Sequence, residues 1–179
     1  MTRLKRPNPA ISVFLILATA AVFWPLLTYD FVSIDDNVYV TSNPHVRSGF
    51  SVKSISWAFT TFEAEFWHPL TWLSLMADAQ IFGGRPFGFH LTNLLLHILN
   101  TLLLFFFLRK VTTKLWQSAF VASLFALHPL HVESVAWIAQ RKDVLSTFFW
   151  LLTLRWDAHF VEKPNRSRYG WALVVCILG

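Results

Sequence analysis

Two adjacent carboxylates, Asp35 and Asp36, follow the first long apolar run of this 179-residue chain. Acids beside a low-dielectric region have raised pKa values, which suits one to act as a general base and its neighbour as partner. Asp-Asp-Asn serves a solvated turn equally well. A denser polar stretch comes later: His128-Pro129-Leu130-His131-Val132-Glu133, then Arg141-Lys142-Asp143. His128, His131 and Glu133 are zinc-binding types, but the His-x2-His-x-Glu spacing matches no metal signature, and no metal site is assigned. Arg141 and Lys142 suit a phosphate, the first through its planar fork and the second as a point charge, or else anchor to lipid headgroups. Finally His90, Asn93, His97 and Asn100 recur at steps of three, four and three, within an arc of about 80° on a helix. Such a stripe on a spanning helix faces protein or a wet cavity, so it either lines a substrate cleft or bonds neighbouring helices.

The elements that must position these groups are membrane elements. Hydrophobic residues make up 55% of the chain and charged ones 14%, well under the roughly 25% of a soluble domain. Nine Trp and eighteen Phe suit lipid-facing surfaces and interfacial belts. The +5 net charge does not gather on one solvated face, so no nucleic-acid partner is expected. One cysteine, Cys176, excludes an intramolecular disulfide framework.

The apolar pattern predicts an all-α polytopic bundle. Residues 1–29 hold a cytoplasmic N-terminus and a first spanning helix. Ala18-Thr19-Ala20 has the form of a signal cleavage site, but it lies inside an apolar run that continues to Leu27, which favours an uncleaved anchor. An outer loop, 30–85, holds two amphipathic helices of the interfacial kind, Phe50 to Phe62 and Trp67 to Phe82. Further spans are expected at 86–108, 115–132 and 144–160, with an outer polar loop at 133–143 and a truncated fifth span beginning at 169–179. This topology puts ten basic and two acidic residues inside, and five basic and eight acidic outside, as the positive-inside rule requires.

Four blocks in order carry a resemblance: Asp35-Asp36-Asn37-Val38-Tyr39-Val40, Trp67-His68-Pro69-Leu70-Thr71-Trp72, His90-Leu91-Thr92-Asn93 with His97 and Asn100, and His128-Pro129-Leu130-His131-Val132-Glu133 with Arg141-Lys142-Asp143. Together the chain resembles the N-terminal membrane module of the transmembrane and tetratricopeptide-repeat-containing family, related to protein O-mannosyltransferases. The resemblance implies a GT-C glycosyltransferase module followed by tetratricopeptide repeats, neither of which is complete here. It implies transfer of a sugar, mannose foremost, from a polyprenyl- or dolichyl-phosphate donor to Ser or Thr hydroxyls of an acceptor protein. The active face would be extracytoplasmic, either periplasmic or ER-lumenal, on an integral multi-pass protein. Under it Asp35 is the general base, Asp36 its partner, and His128, His131, Glu133, Arg141, Lys142 and Asp143 bind donor or substrate. His68, His90, Asn93, His97 and Asn100 line the cleft. No cofactor is assigned and a divalent metal is left open. Catalysis is expected of the full-length protein rather than of this length of chain alone. The alternative is a non-catalytic membrane scaffold, in which the His/Asn stripe serves packing.

Overall fold

A computed structural model describes residues 9–160. The basic N-terminal cluster, Glu162, Lys163, Arg166, Arg168 and the run 169–179 with Cys176 lie outside the described residues. Among the described residues every regular element is helical, and the chain is an all-α membrane helix bundle. Two stretches are long and apolar enough to cross a bilayer, Pro9–Thr28 and Pro86–Thr112.

The first of these is helix α1, Pro9–Phe23, continued by a tight 3-10 turn at Trp24–Thr28 where Pro25 removes a helical donor. A wide π-helical turn at Asn37–Thr41 leads to the short α2, Pro44–Arg47, capped by the Asn43 side chain. Ser51 caps α3, Val52–Thr60. Helix α4, Pro69–Phe82, opens on a proline and closes on Gly83, whose φ of 64° is the left-handed geometry that favours glycine. Helix α5, Pro86–Thr112, is packed so closely at its start that a Cβ on Gly88 would overlap the Phe82 ring.

Helix α6 covers only Leu115–Leu127, because His128 precedes Pro129 and is held extended at ψ 130°. At 1.5 Å per residue it is about 20 Å long, short of a hydrocarbon core of about 30 Å. The short α7, His131–Ala136, and the longer α8, Arg141–Phe160, complete the described chain.

Two compact units divide these elements. The span unit takes described residues 9–22, 96–131 and 144–160, and its core joins Ile11 and Leu15 to Phe105, Ala119 and Ala122. The loop unit takes residues 23–95 and 132–143. Its centre is α4, against which α2 and α3 pack. Trp72, Leu75 and Met76 of α4 are wholly buried, so this helix is a core element of its unit. Helix α3, in contrast, turns Val52, Ile55 and Phe59 outward, an apolar side of the kind an interfacial helix presents.

Candidate functional site

The two neighbouring acids have different surroundings. Asp36 is buried, and its carboxylate accepts the Val32 N–H at 2.8 Å and the Ala139 N–H at 3.0 Å. Burial pushes this carboxyl above the usual range, while the two backbone donors pull it down. Asp35 is half-buried, and its backbone carbonyl accepts the Val38 and Tyr39 N–H groups at 2.9 and 3.0 Å. Asp36 therefore ties residues 30–36 to the segment around Ala139, and Asp35 is the acid whose carboxylate is left for other work.

Aromatic and charged groups pack about Tyr39, itself buried in the core of the loop unit. Its ring stacks on His68 at 5.7 Å and on Trp72 at 5.0 Å, and the Lys142 ammonium lies 5.9 Å from its centroid. Burial pushes the Tyr39 phenol up, and the carboxylates of Asp35 and Asp143 push it further. Lys142 also lies 6.0 Å from the Phe66 ring and donates to Gln140 Oε1 at 2.6 Å. His68 is pushed down to about 4, first by burial and then by Lys142, so it is a neutral ring at pH 7. The loop unit thus holds His68, Trp72 and the Lys142 ammonium against the Tyr39 ring, and Asp35 accepts the Tyr39 N–H through its backbone carbonyl.

Arg141, one residue before Lys142, is oriented into the protein. Its side chain is 0% exposed. Nη2 donates to Asp78 Oδ2 at 2.6 Å and to the Phe89 carbonyl at 2.8 Å, Nη1 donates to Ser74 Oγ at 2.6 Å, and Nε donates to Asn93 Oδ1. Four of the five guanidinium donors are thereby satisfied by the chain itself. In this arrangement Arg141 has no open face for a phosphate, whereas Lys142 is half-buried beside Tyr39 and Phe66. Burial pushes Asp78 up, and Arg141 and the Thr92 hydroxyl, 2.7 Å from Oδ1, pull it back.

The polar stripe of α5 is used for packing. Asn93 Nδ2 donates to the carbonyls of Val135 and Trp137 at 3.1 and 3.3 Å. In the span unit, His97 Nε2 lies 3.1 Å from the Ala126 carbonyl and Asn100 Nδ2 donates to Val144 O at 2.8 Å. His90 is buried edge-on to Tyr29 at 6.4 Å. His131 packs on Phe125 at 4.6 Å and His97 at 5.6 Å, whereas His128 is exposed, its Nδ1 accepting the Leu130 N–H. Glu133 is exposed on α7 and belongs to the loop unit. Among the described residues no group of three or more His, Cys, Asp or Glu could hold a metal ion.

Comparison with known proteins finds relatives similar in sequence to this chain. Mouse protein O-mannosyl-transferase TMTC1 is 38% identical over 132 residues, 66% of this chain and 14% of the mouse protein. Fruit-fly Tmtc2, of the same name, is 40% identical over 88 residues, 49% of this chain and 9% of its own. Mouse TMTC4 is 28% identical over 202 residues, 88% of this chain and 26% of its own. The chain is TMTC-like. It spans 14% of the length of the mouse TMTC1 it matches. No family model matches it, and no solved structure does.

Within the TMTC-like chain, the buried, ion-paired residue that sequence reasoning passed over is Asp78. A lone acid on the apolar run 70–81 was its signal, with Ser74 one turn before it on the same face. Its partner lies 63 positions away, with no local pattern to point to it.

Removing one member of a buried ion pair costs about 3–5 kcal/mol, whereas replacing both by apolar residues of similar volume is near neutral. Asp78→Leu and Arg141→Met are each expected to lower the melting temperature of the detergent-purified protein sharply, and the double variant to return most of it. For His68 the folded pKa of about 4 lies below the ordinary 6.5, so the unfolded chain takes a proton that the folded chain refuses. Its contribution is fully present above pH 6.5 and is lost as pH falls from 6.5 towards 4. Melting curves across that window should fall more steeply for the wild type than for His68→Phe; equal slopes would contradict the assignment.

Proposed function

We propose that the full-length protein is a multi-pass GT-C glycosyltransferase, with its N-terminus cytoplasmic, and that this chain supplies its base and its phosphate-binding cation. The sugar is mannose, after the protein O-mannosyl-transferases it resembles. The donor is a polyprenyl- or dolichyl-phosphate sugar and the acceptor a Ser or Thr hydroxyl of a protein outside the cytoplasm. The observation that carries this reading is the Lys142 ammonium over the ring of Tyr39, whose N–H donates to the Asp35 carbonyl, in a chain matched to those enzymes.

The chemistry asks for little more. The acceptor oxygen attacks the anomeric carbon, the bond from that carbon to the phosphate oxygen breaks, and Asp35 receives the hydroxyl proton. Negative charge developing on the departing phosphate meets the Lys142 ammonium. His68, half-buried and neutral, offers a flat ring against which a pyranose packs. Asp143 and the exposed Glu133 bind donor or acceptor. The donor's lipid tail stays in the bilayer, beside the outward apolar side of α3.

A scaffold is the second reading, favoured by the use of Asn93, His97 and Asn100 in packing hydrogen bonds. Membranes bearing the full-length protein, given labelled lipid-phosphate mannose and an acceptor protein, separate the two. Asp35→Asn is expected to slow transfer by about 10²–10⁴-fold with the melting temperature unchanged. Transfer at the wild-type rate in that variant would remove Asp35 from the reaction and leave the scaffold.

A further inference from the structure

The segment from Val135 to Lys142 carries the proposed phosphate-binding cation, and the remainder of the loop unit grips it by its backbone. Asn93 holds the carbonyls of Val135 and Trp137, and Asp36 holds the Ala139 N–H. Arg141 then turns inward, and its hydrogen-bond partners lie on α4 and α5: Ser74 and Asp78 on the first, Phe89 and Asn93 on the second. Only one of those partners is ionised. Asp78 is 3% exposed and is itself fixed from the other side by Thr92, whose hydroxyl donates to Oδ1 while Arg141 donates to Oδ2.

A guanidinium stays protonated in a protein, so a wholly buried one must keep a counter-charge or leave the interior. If Arg141 leaves, the turn it belongs to leaves with it, and Lys142 is the next residue. From this geometry we propose that Asp78 is a positioning residue: through Arg141 it fixes the Gln140–Lys142 turn and holds the Lys142 ammonium against Tyr39. Asp78 touches neither sugar nor phosphate. The inference rests on the reading of Lys142 as the cation that meets the donor phosphate, and it extends the site to a residue on α4.

The test uses the full-length protein in its membrane. Acylation of Lys142 by an amine-reactive ester is followed by mass spectrometry, with the exposed Lys53 as internal reference, in the wild type, Asp78→Asn and Thr92→Val. The Lys142 to Lys53 rate ratio is expected to rise about threefold or more in Asp78→Asn, as the held turn opens. Thr92→Val, which leaves both charges in place, is expected to shift it in the same direction and decides the matter if Asp78→Asn does not accumulate. An unchanged ratio in either folded variant overturns the proposal. In the transfer assay Asp78→Asn and Lys142→Ala are each expected to raise the donor KM about tenfold, as loss of one charge-assisted hydrogen bond would. The double variant should raise it no further, because both act through one group. Additive effects, or a fall in kcat with KM unchanged, overturn it too. If the wild type transfers no sugar, the reading of function fails, and the labelling ratio still decides whether Asp78 holds Lys142.

Discussion

A guanidinium that cannot give up its proton, enclosed where water does not reach, constrains everything around it. Arg141 meets that constraint with one carboxylate, one hydroxyl, one carboxamide and one carbonyl. Each comes from a helix that must then lie where the fork can reach it. Helix α4 is accordingly the centre of the loop unit, with α2 and α3 packed upon it. The pair is poor evidence for stability by itself, since desolvating two charges offsets most of their attraction. What it supplies is register: one arrangement of α4, α5 and the start of α8 satisfies all four donors.

The chain twice uses neighbouring residues of like charge for opposite purposes. Asp36 faces in and takes two backbone donors, while Asp35 is half-buried and accepts the Tyr39 N–H through its carbonyl. Arg141 faces in and takes the acceptors of two helices, while Lys142 remains beside the same ring. The residue types fit the division. A planar fork with five fixed donors suits an enclosed site with many acceptors, and a single mobile ammonium suits a group that must meet a changing charge. In both pairs the inward residue holds the backbone from which the outward one projects.

How much of this was legible in the sequence varied with the range of the interactions. Apolar runs and their proline and glycine boundaries are local, so helices were expected within 1–29, 86–108 and 144–160, where the structure has helical residues at 9–28, 86–112 and 141–160. Proline at 129 announced the end of α6, though the expected span ran to residue 132 where the helix stops at Leu127. The short α2 and the π-helical turn at 37–41 were hidden, because four or five residues carry no period. The stripe of α5 was visible as a stripe, but which of its two uses applied depended on backbone carbonyls at 126, 135, 137 and 144, which no side-chain pattern reveals. Arg141 and Lys142 looked equivalent as neighbours. Only the acid on α4 distinguishes them, and a pairing across 63 positions leaves no trace in composition or spacing.

The proposed role of the Asp78–Arg141 pair is to hold the segment from Val135 to Lys142 in place. The amide of Ala139, bonded to Asp36 within that segment, reports on it directly. Its deuterium exchange should be measured in the full-length protein in lipid nanodiscs, in the wild type and in Asp78→Asn. The account predicts a protected amide that exchanges far faster once Asp78 has lost its charge, while amides in the middle of α5 keep their protection. Equal protection of Ala139 in the two proteins would contradict it.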